Sequence, residues 1–181
     1  MGLSRRSLVT ENEFLQLPES TNKTELVDGE VIVSPSPSVR HQVLVQRLMS
    51  ALTDWSSTQD HAVFIGHAPL DVRFSPGRIL QPDLFVILDE VSMSHEGPLD
   101  MVPAICIEVG SSNRVYDRVT KRFIYGEAGV KEFWFVEPSG TIERYSGAGL
   151  ATVVTESEGD LKTPILPGLE LTVPELFREL E

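Results

Sequence analysis

Along residues 39–55 the apolar positions recur at helical spacing. Leu44, Leu48, Leu52 and Trp55 form one stripe with Val45 and Met49 beside it, and Arg40, Gln42, Gln46, Arg47 and Asp54 fall mainly elsewhere on the wheel. The pattern predicts an amphipathic helix of about four turns, with Ser38 as its N-cap. A second long helix is expected over residues 116–128, introduced by Ser111-Ser112-Asn113 and closed by Gly129. Most of the remaining apolar pattern has strand character. Glu25-Leu26-Val27, the turn Asp28-Gly29 and Glu30-Val31-Ile32-Val33 read as a hairpin. Residues 62–66 are apolar, 70–74 alternate, and 79–88 form one run after the turn Ser75-Pro76-Gly77. Residues 102–109 are almost continuously apolar, as a central strand would be. A strand over 132–136 follows, and 141–145 with 151–155 read as a closing hairpin. Short helices are expected over 11–17 and 174–180, the latter with Pro174 at its first position and Thr172 as cap. Residues 1–10 read as a loose terminus.

The order of these elements, helix, strands, helix, strand, predicts an α/β architecture. Its centre is a mixed β-sheet flanked by helices, with an N-terminal hairpin and a C-terminal β-hairpin added. A length of 181 residues predicts a single domain over 1–181 with a core that needs no staples. The lone Cys106 excludes an intrachain disulfide scaffold and a cysteine-based zinc site. No apolar run approaches the roughly 20 residues of a membrane helix. No apolar stretch follows Arg5 and Arg6, so a cytoplasmic location without membrane attachment is expected.

Charge complicates any reading that involves nucleic acid. The net charge is −12, which repels a phosphate backbone at long range. The charge is unevenly spread. Residues 150–181 carry two basic residues against seven acids, whereas Arg114, Arg118, Lys121 and Arg122 in 111–125 face Asp117 alone. Such a basic island is either an anion site or a face neutralised by salt bridges, and composition favours the second.

Two acids break the apolar pattern. Asp83 follows Pro82 inside an apolar run, and Glu108 closes the most apolar strand of the chain. A carboxylate so placed costs several kcal/mol if unpaired, so each needs a metal, a cation or an edge open to water. In the following helix Asp117, Lys121 and Tyr125 lie at i, i+4 and i+8 and share a face. By themselves they also fit a simple Asp117–Lys121 ion pair worth a few tenths of a kcal/mol.

Pro82-Asp83, Glu108-Val109-Gly110 and Asp117-x-x-x-Lys121-x-x-x-Tyr125 together resemble the PD-(D/E)XK nuclease superfamily. More closely, the chain resembles a large bacterial family of that superfamily classed as restriction endonucleases. The matching segments, in order, are residues 25–30, Ser34-Pro35-Ser36-Pro37 with His41, 81–84, 107–109, 117–125, 128–134, Val136-Glu137-Pro138 and 166–169. The resemblance implies a restriction-endonuclease-like core and hydrolysis of DNA phosphodiester bonds with Mg²⁺ or Mn²⁺. It implies Asp83 and Glu108 as metal-binding carboxylates and Lys121 as the catalytic lysine. Glu30 is then an additional ligand, His41 a ligand-shell or phosphate contact, and Asp117 and Tyr125 partners of the lysine. The chain departs from the superfamily pattern at Gly110, where a lysine is expected; Lys121 on the helix takes its place. The sequence leaves a homodimer open. It also leaves open a non-catalytic binding or regulatory protein on the same fold, and a hydrolase of a smaller phosphoester.

Overall fold

The structure, a computed structural model, describes residues 8–18 and 20–180. Most of the expected loose terminus, including Arg5 and Arg6, lies outside them. Helix α1 (Glu11–Leu15) precedes a hairpin of β1 (Thr24–Val27) and β2 (Glu30–Val33). Its two-residue turn holds Asp28 and Gly29 at φ of 50° and 88°, the left-handed conformation that Asp-Gly supplies at low cost. Helix α2 (Val39–Ser56) begins at Ser38, whose hydroxyl accepts the His41 N–H at 3.2 Å. Then come β3 (Phe64–His67), β4 (Val72–Ser75), β5 (Arg78–Leu80), β6 (Leu84–Ile87) and β7 (Ile105–Val109). A π-helical turn (Tyr116–Thr120) runs into α3 (Lys121–Ala128), and Gly129 closes it at φ 93°. Strands β8 (Glu132–Glu137), β9 (Thr141–Ser146) and β10 (Thr152–Glu156) and helix α4 (Val173–Phe177) complete the order.

Two sheets result. The larger has strand order β10-β9-β8-β7-β6-β3 and is mixed, because β7 and β8 are parallel while its other pairs are antiparallel. The smaller has order β2-β1-β5-β4, so the N-terminal hairpin extends a second sheet. Side-chain alternation gives the large sheet two apolar faces. Leu84, Val86, Ile105 and Ile107 pack with Leu44, Leu48 and Leu52 of α2. Phe85, Cys106, Phe133 and Phe135 pack with Ile124 and Tyr125 of α3 on the other face. A mixed sheet flanked by helices is the architecture expected from the element order.

One expectation is corrected. Residues 79–88 are not one strand: β5 belongs to the small sheet and β6 to the large one. Gln81-Pro82-Asp83 is the crossing between them. Proline has no N–H for a ladder bond, so it suits a strand break. The second helix differs too, since its first turn is π-helical.

Candidate active site

Strand register brings the acids together. β6 and β7 pair with Leu84 opposite Ile107, which puts Asp83, one residue before β6, across from Glu108. Asp83 Oδ2 accepts the backbone N–H of Val109 at 2.9 Å and lies 3.0 Å from His41 Nε2 in the first turn of α2. Glu108 Oε1 accepts the Tyr125 hydroxyl at 2.6 Å and the Lys121 ammonium at 3.0 Å. Each acid thus spends one oxygen on the protein interior. The remaining oxygens, Asp83 Oδ1 and Glu108 Oε2, converge on one cation, the ammonium of Lys23, at 2.9 and 3.3 Å.

Behind Glu108 lies a buried charge cluster, of which Asp117 reaches the cleft wall. Lys121 Nζ is 3.0 Å from Glu25 Oε1 as well as from Glu108, 3.7 Å from Asp117 Oδ1, and 5.3 Å from the Tyr116 ring centre. Glu25 comes from β1, and its Oε1 also accepts the Gln81 N–H at 2.8 Å, at the crossing between the sheets. Asp117 is held by the Ser111 hydroxyl at 2.6 Å. Lys121, Glu25 and Glu108 are fully buried.

The fields follow from this layout. Burial pushes the Asp83 carboxyl up, but the Lys23 charge, the His41 hydrogen bond and the more distant Lys121 outweigh it, and Asp83 is held well below the usual carboxylate range. Glu108 behaves oppositely. Burial pushes it up to about 7 against the pull of Lys121 and Lys23, with Asp83 and Asp117 adding to the rise. Burial works against the charge of Lys121, yet Glu108, Glu25 and Asp117 together hold it well above its ordinary value. Burial and Glu108 both push the Tyr125 hydroxyl up, so it remains a donor to that carboxylate.

Comparison with known proteins places this arrangement in a family. Residues 11–174 match Uma2, described as "Putative restriction endonuclease". The chain belongs to the Uma2 family. Its description and the fold agree with the restriction-endonuclease-like core that the ordered motifs imply. A crystal structure of "a putative nuclease belonging to DUF820" from Anabaena variabilis ATCC 29413 is similar at a TM-score of 0.78 and 22% identity. The alignment covers 96% of this chain and 99% of that one, and the likeness is one of fold. No curated protein matches this chain.

In this Uma2 chain the structure gathers Asp83, Glu108, Lys121, His41, Asp117 and Tyr125 into one connected network. It does not bring Glu30 there. Glu30 is exposed at the turn end of the hairpin, opposite Val27, and Glu25 is the hairpin acid that joins the cluster. At Gly110, the position of the superfamily lysine, a side chain is crowded. A Cβ there would stand 3.1 Å from both Phe135 Cζ and Pro138 Cδ, tighter than ordinary contact. Two groups were missed by sequence reasoning. Glu25 has a local signal, a carboxylate on an otherwise apolar strand. Lys23 has none, because it meets Asp83 and Glu108 across 60 and 85 residues of chain.

The basic island is mainly a neutralised face. Arg118 pairs with Glu143 at 2.5 Å, Arg122 lies over the Tyr145 ring, and Lys121 is interior. Arg114 pairs with Glu137 at 2.7 Å and also borders a cleft of about 480 Å³. Lys23, His41, Asp83 and Glu108 line that cleft beside Ser34-Pro35-Ser36-Pro37-Ser38. Among the described residues no three His, Cys, Asp or Glu side chains gather into a cage for a metal. The two converging oxygens nevertheless fit Mg²⁺, which binds through one or two carboxylates and keeps its other positions for water and phosphate. A cation already stands between them, so the pair accepts positive charge at that point.

Proposed function

We propose that this chain is a metal-dependent endonuclease that hydrolyses DNA phosphodiester bonds in the cleft at Asp83 and Glu108. The observation that carries the reading is the convergence of Asp83 Oδ1 and Glu108 Oε2 on one cation at the wall of an open cleft. Mg²⁺ or Mn²⁺ held there would supply a Lewis acid and lower the pKa of water. The chain's own groups have separate tasks. His41 and the Val109 N–H fix the orientation of Asp83. Tyr125 and Lys121 fix Glu108 and keep its outer oxygen toward the cleft. The resemblance gives Lys121 a catalytic role; full burial behind Glu108 makes it a positioning residue in this reading. Ser36, Ser38 and Arg114 at the rim offer donors to a phosphate backbone. No helix among the described residues is long and apolar enough to cross a membrane.

A second reading, a binding or regulatory protein that keeps the fold without turnover, is favoured by the charge of −12 and by the neutralised basic island. One assay separates the two. The purified chain is incubated with supercoiled plasmid, linear duplex and single-stranded DNA in Mg²⁺ or Mn²⁺, beside Asp83→Ala. Cleavage that needs the ion and falls about 10³-fold or more in the variant supports the nuclease reading. DNA left intact under every condition, or cleavage unaffected by the variant, supports the second.

A further inference from the structure

The two lysines of the site differ in what surrounds their ammonium groups. Lys121 is 0% exposed and is enclosed by Glu25, Glu108, Asp117 and the Tyr116 ring. It does not line the cleft. Lys23 does line it, with its side chain 16% exposed. Its ammonium has two partners among the described residues, Asp83 Oδ1 and Glu108 Oε2. These are the oxygens on which the metal reading depends. The lysine backbone is pinned, since its carbonyl accepts the Ser34 N–H at 2.9 Å as the hairpin opens. The head is therefore tethered at the cleft wall by a four-carbon stem, largely covered by protein but open on its cleft side, so the cleft is the direction in which it can move once its carboxylates have another cation.

We infer that Lys23 is the exchangeable cation of the site: it neutralises Asp83 and Glu108 until a divalent ion takes its position, and its displaced ammonium then faces the substrate phosphate in the cleft. This rests on the nuclease reading above and assigns the cleft-side lysine role to Lys23 instead of Lys121. Two positive groups cannot share one point between the carboxylates, so ion entry and lysine departure are a single exchange. The displaced ammonium remains within the stem's reach of the cleft, where charge on a phosphate would draw it. No bond is made or broken by the lysine; it contributes charge.

The test compares wild type with Lys23→Met and Lys23→Arg, using Mn²⁺ binding read by electron paramagnetic resonance and thermal unfolding with and without Mn²⁺. Exchange predicts that Lys23→Met binds Mn²⁺ about tenfold or more tightly, because a competing full charge is gone. It also predicts that the variant unfolds at lower temperature than wild type without metal but level with it at saturating Mn²⁺, where the lysine has already left. Lys23→Arg keeps the competing charge and should stay near wild type in affinity. Equal Mn²⁺ affinity in wild type and Lys23→Met, or an equal stability loss with and without metal, would make Lys23 a fixed salt bridge and overturn the inference while leaving the metal site standing. Absence of Mn²⁺ binding in all three chains would overturn the metal reading itself, and the exchange with it.

Discussion

Glu108 separates two regions built from the same materials. On its inner side Lys121 stands among Glu25, Glu108 and Asp117; on its outer side Lys23 stands between Glu108 and Asp83. Both regions are lysine-bridged carboxylates, yet only the outer ammonium borders the cleft: Lys23 lines it, whereas of the inner cluster Asp117 reaches its wall and Lys121 and Glu25 do not. The inner cluster is covered by Tyr125, Tyr116 and the π-helical turn that feeds α3. Its charges have given up water and depend on one another. The outer cluster ends at the cleft, where another cation can compete. Ion pairing alone therefore does not mark a site of chemistry. Access decides it, and the inner cluster serves the outer one by fixing Glu108.

The sharpest way to break this comparison is to empty the inner cluster. Lys121→Met leaves Glu25, Glu108 and Asp117 buried without their shared cation. It should cost about 3–5 kcal/mol of stability, measured by urea denaturation. A loss below about 1 kcal/mol, with turnover abolished, would move Lys121 from the positioning to the catalytic role.

The pH dependence of metal-free stability comes next. The folded-state value of Glu108, about 7, lies above its ordinary value of 4.5. Its contribution to stability is therefore full below about 4.5 and is lost as pH rises through about 7. Asp83 has the opposite sign, contributing above its ordinary value of 3.8 and losing that as pH falls below it. Denaturation midpoints across pH 4–8, compared with Glu108→Gln, read the first effect directly. A variant with the same pH slope as wild type would show that Glu108 is not the group responsible.

A smaller effect is expected at Gly110. Gly110→Ala places a methyl group 3.1 Å from Phe135 and Pro138 and should cost about 1–2 kcal/mol in thermal unfolding. No loss would mean that a side chain is not crowded at this position. The smallest effect concerns the neutralised face. Arg118 is half exposed and paired with Glu143, so Arg118→Ala should change stability by less than about 1 kcal/mol and leave DNA affinity in a gel-shift assay unchanged. A marked loss of affinity would return the basic island to the binding surface.

Local chemistry was legible in the sequence, and long-range meetings were not. The Asp-Gly turn, the Ser38 cap, the α2 stripe and the closing glycine of α3 each rest on neighbouring residues, and each is found where the pattern puts it. The apolar run at 79–88 misled because Ile79 and Leu80 are as buried in the small sheet as Leu84 and Phe85 are in the large one, and periodicity does not report which sheet a residue joins. Asp83, Glu108 and Lys121 stood out as charges among apolar neighbours or at helical spacing. Glu25 was passed over for Glu30 because the choice depends on β1 pairing with β5, which sets Glu25 beside the crossing at Gln81. Lys23 could not be found at all without the fold.

The most direct measurement is the anomalous difference density of a crystal soaked in Mn²⁺. The account predicts one strong peak shared by Asp83 Oδ1 and Glu108 Oε2, the Lys23 ammonium moved off that point into the cleft, and Lys121 unmoved against Glu25 and Glu108. A peak elsewhere, or a site at saturating Mn²⁺ in which Lys23 still bridges the two acids, would contradict it.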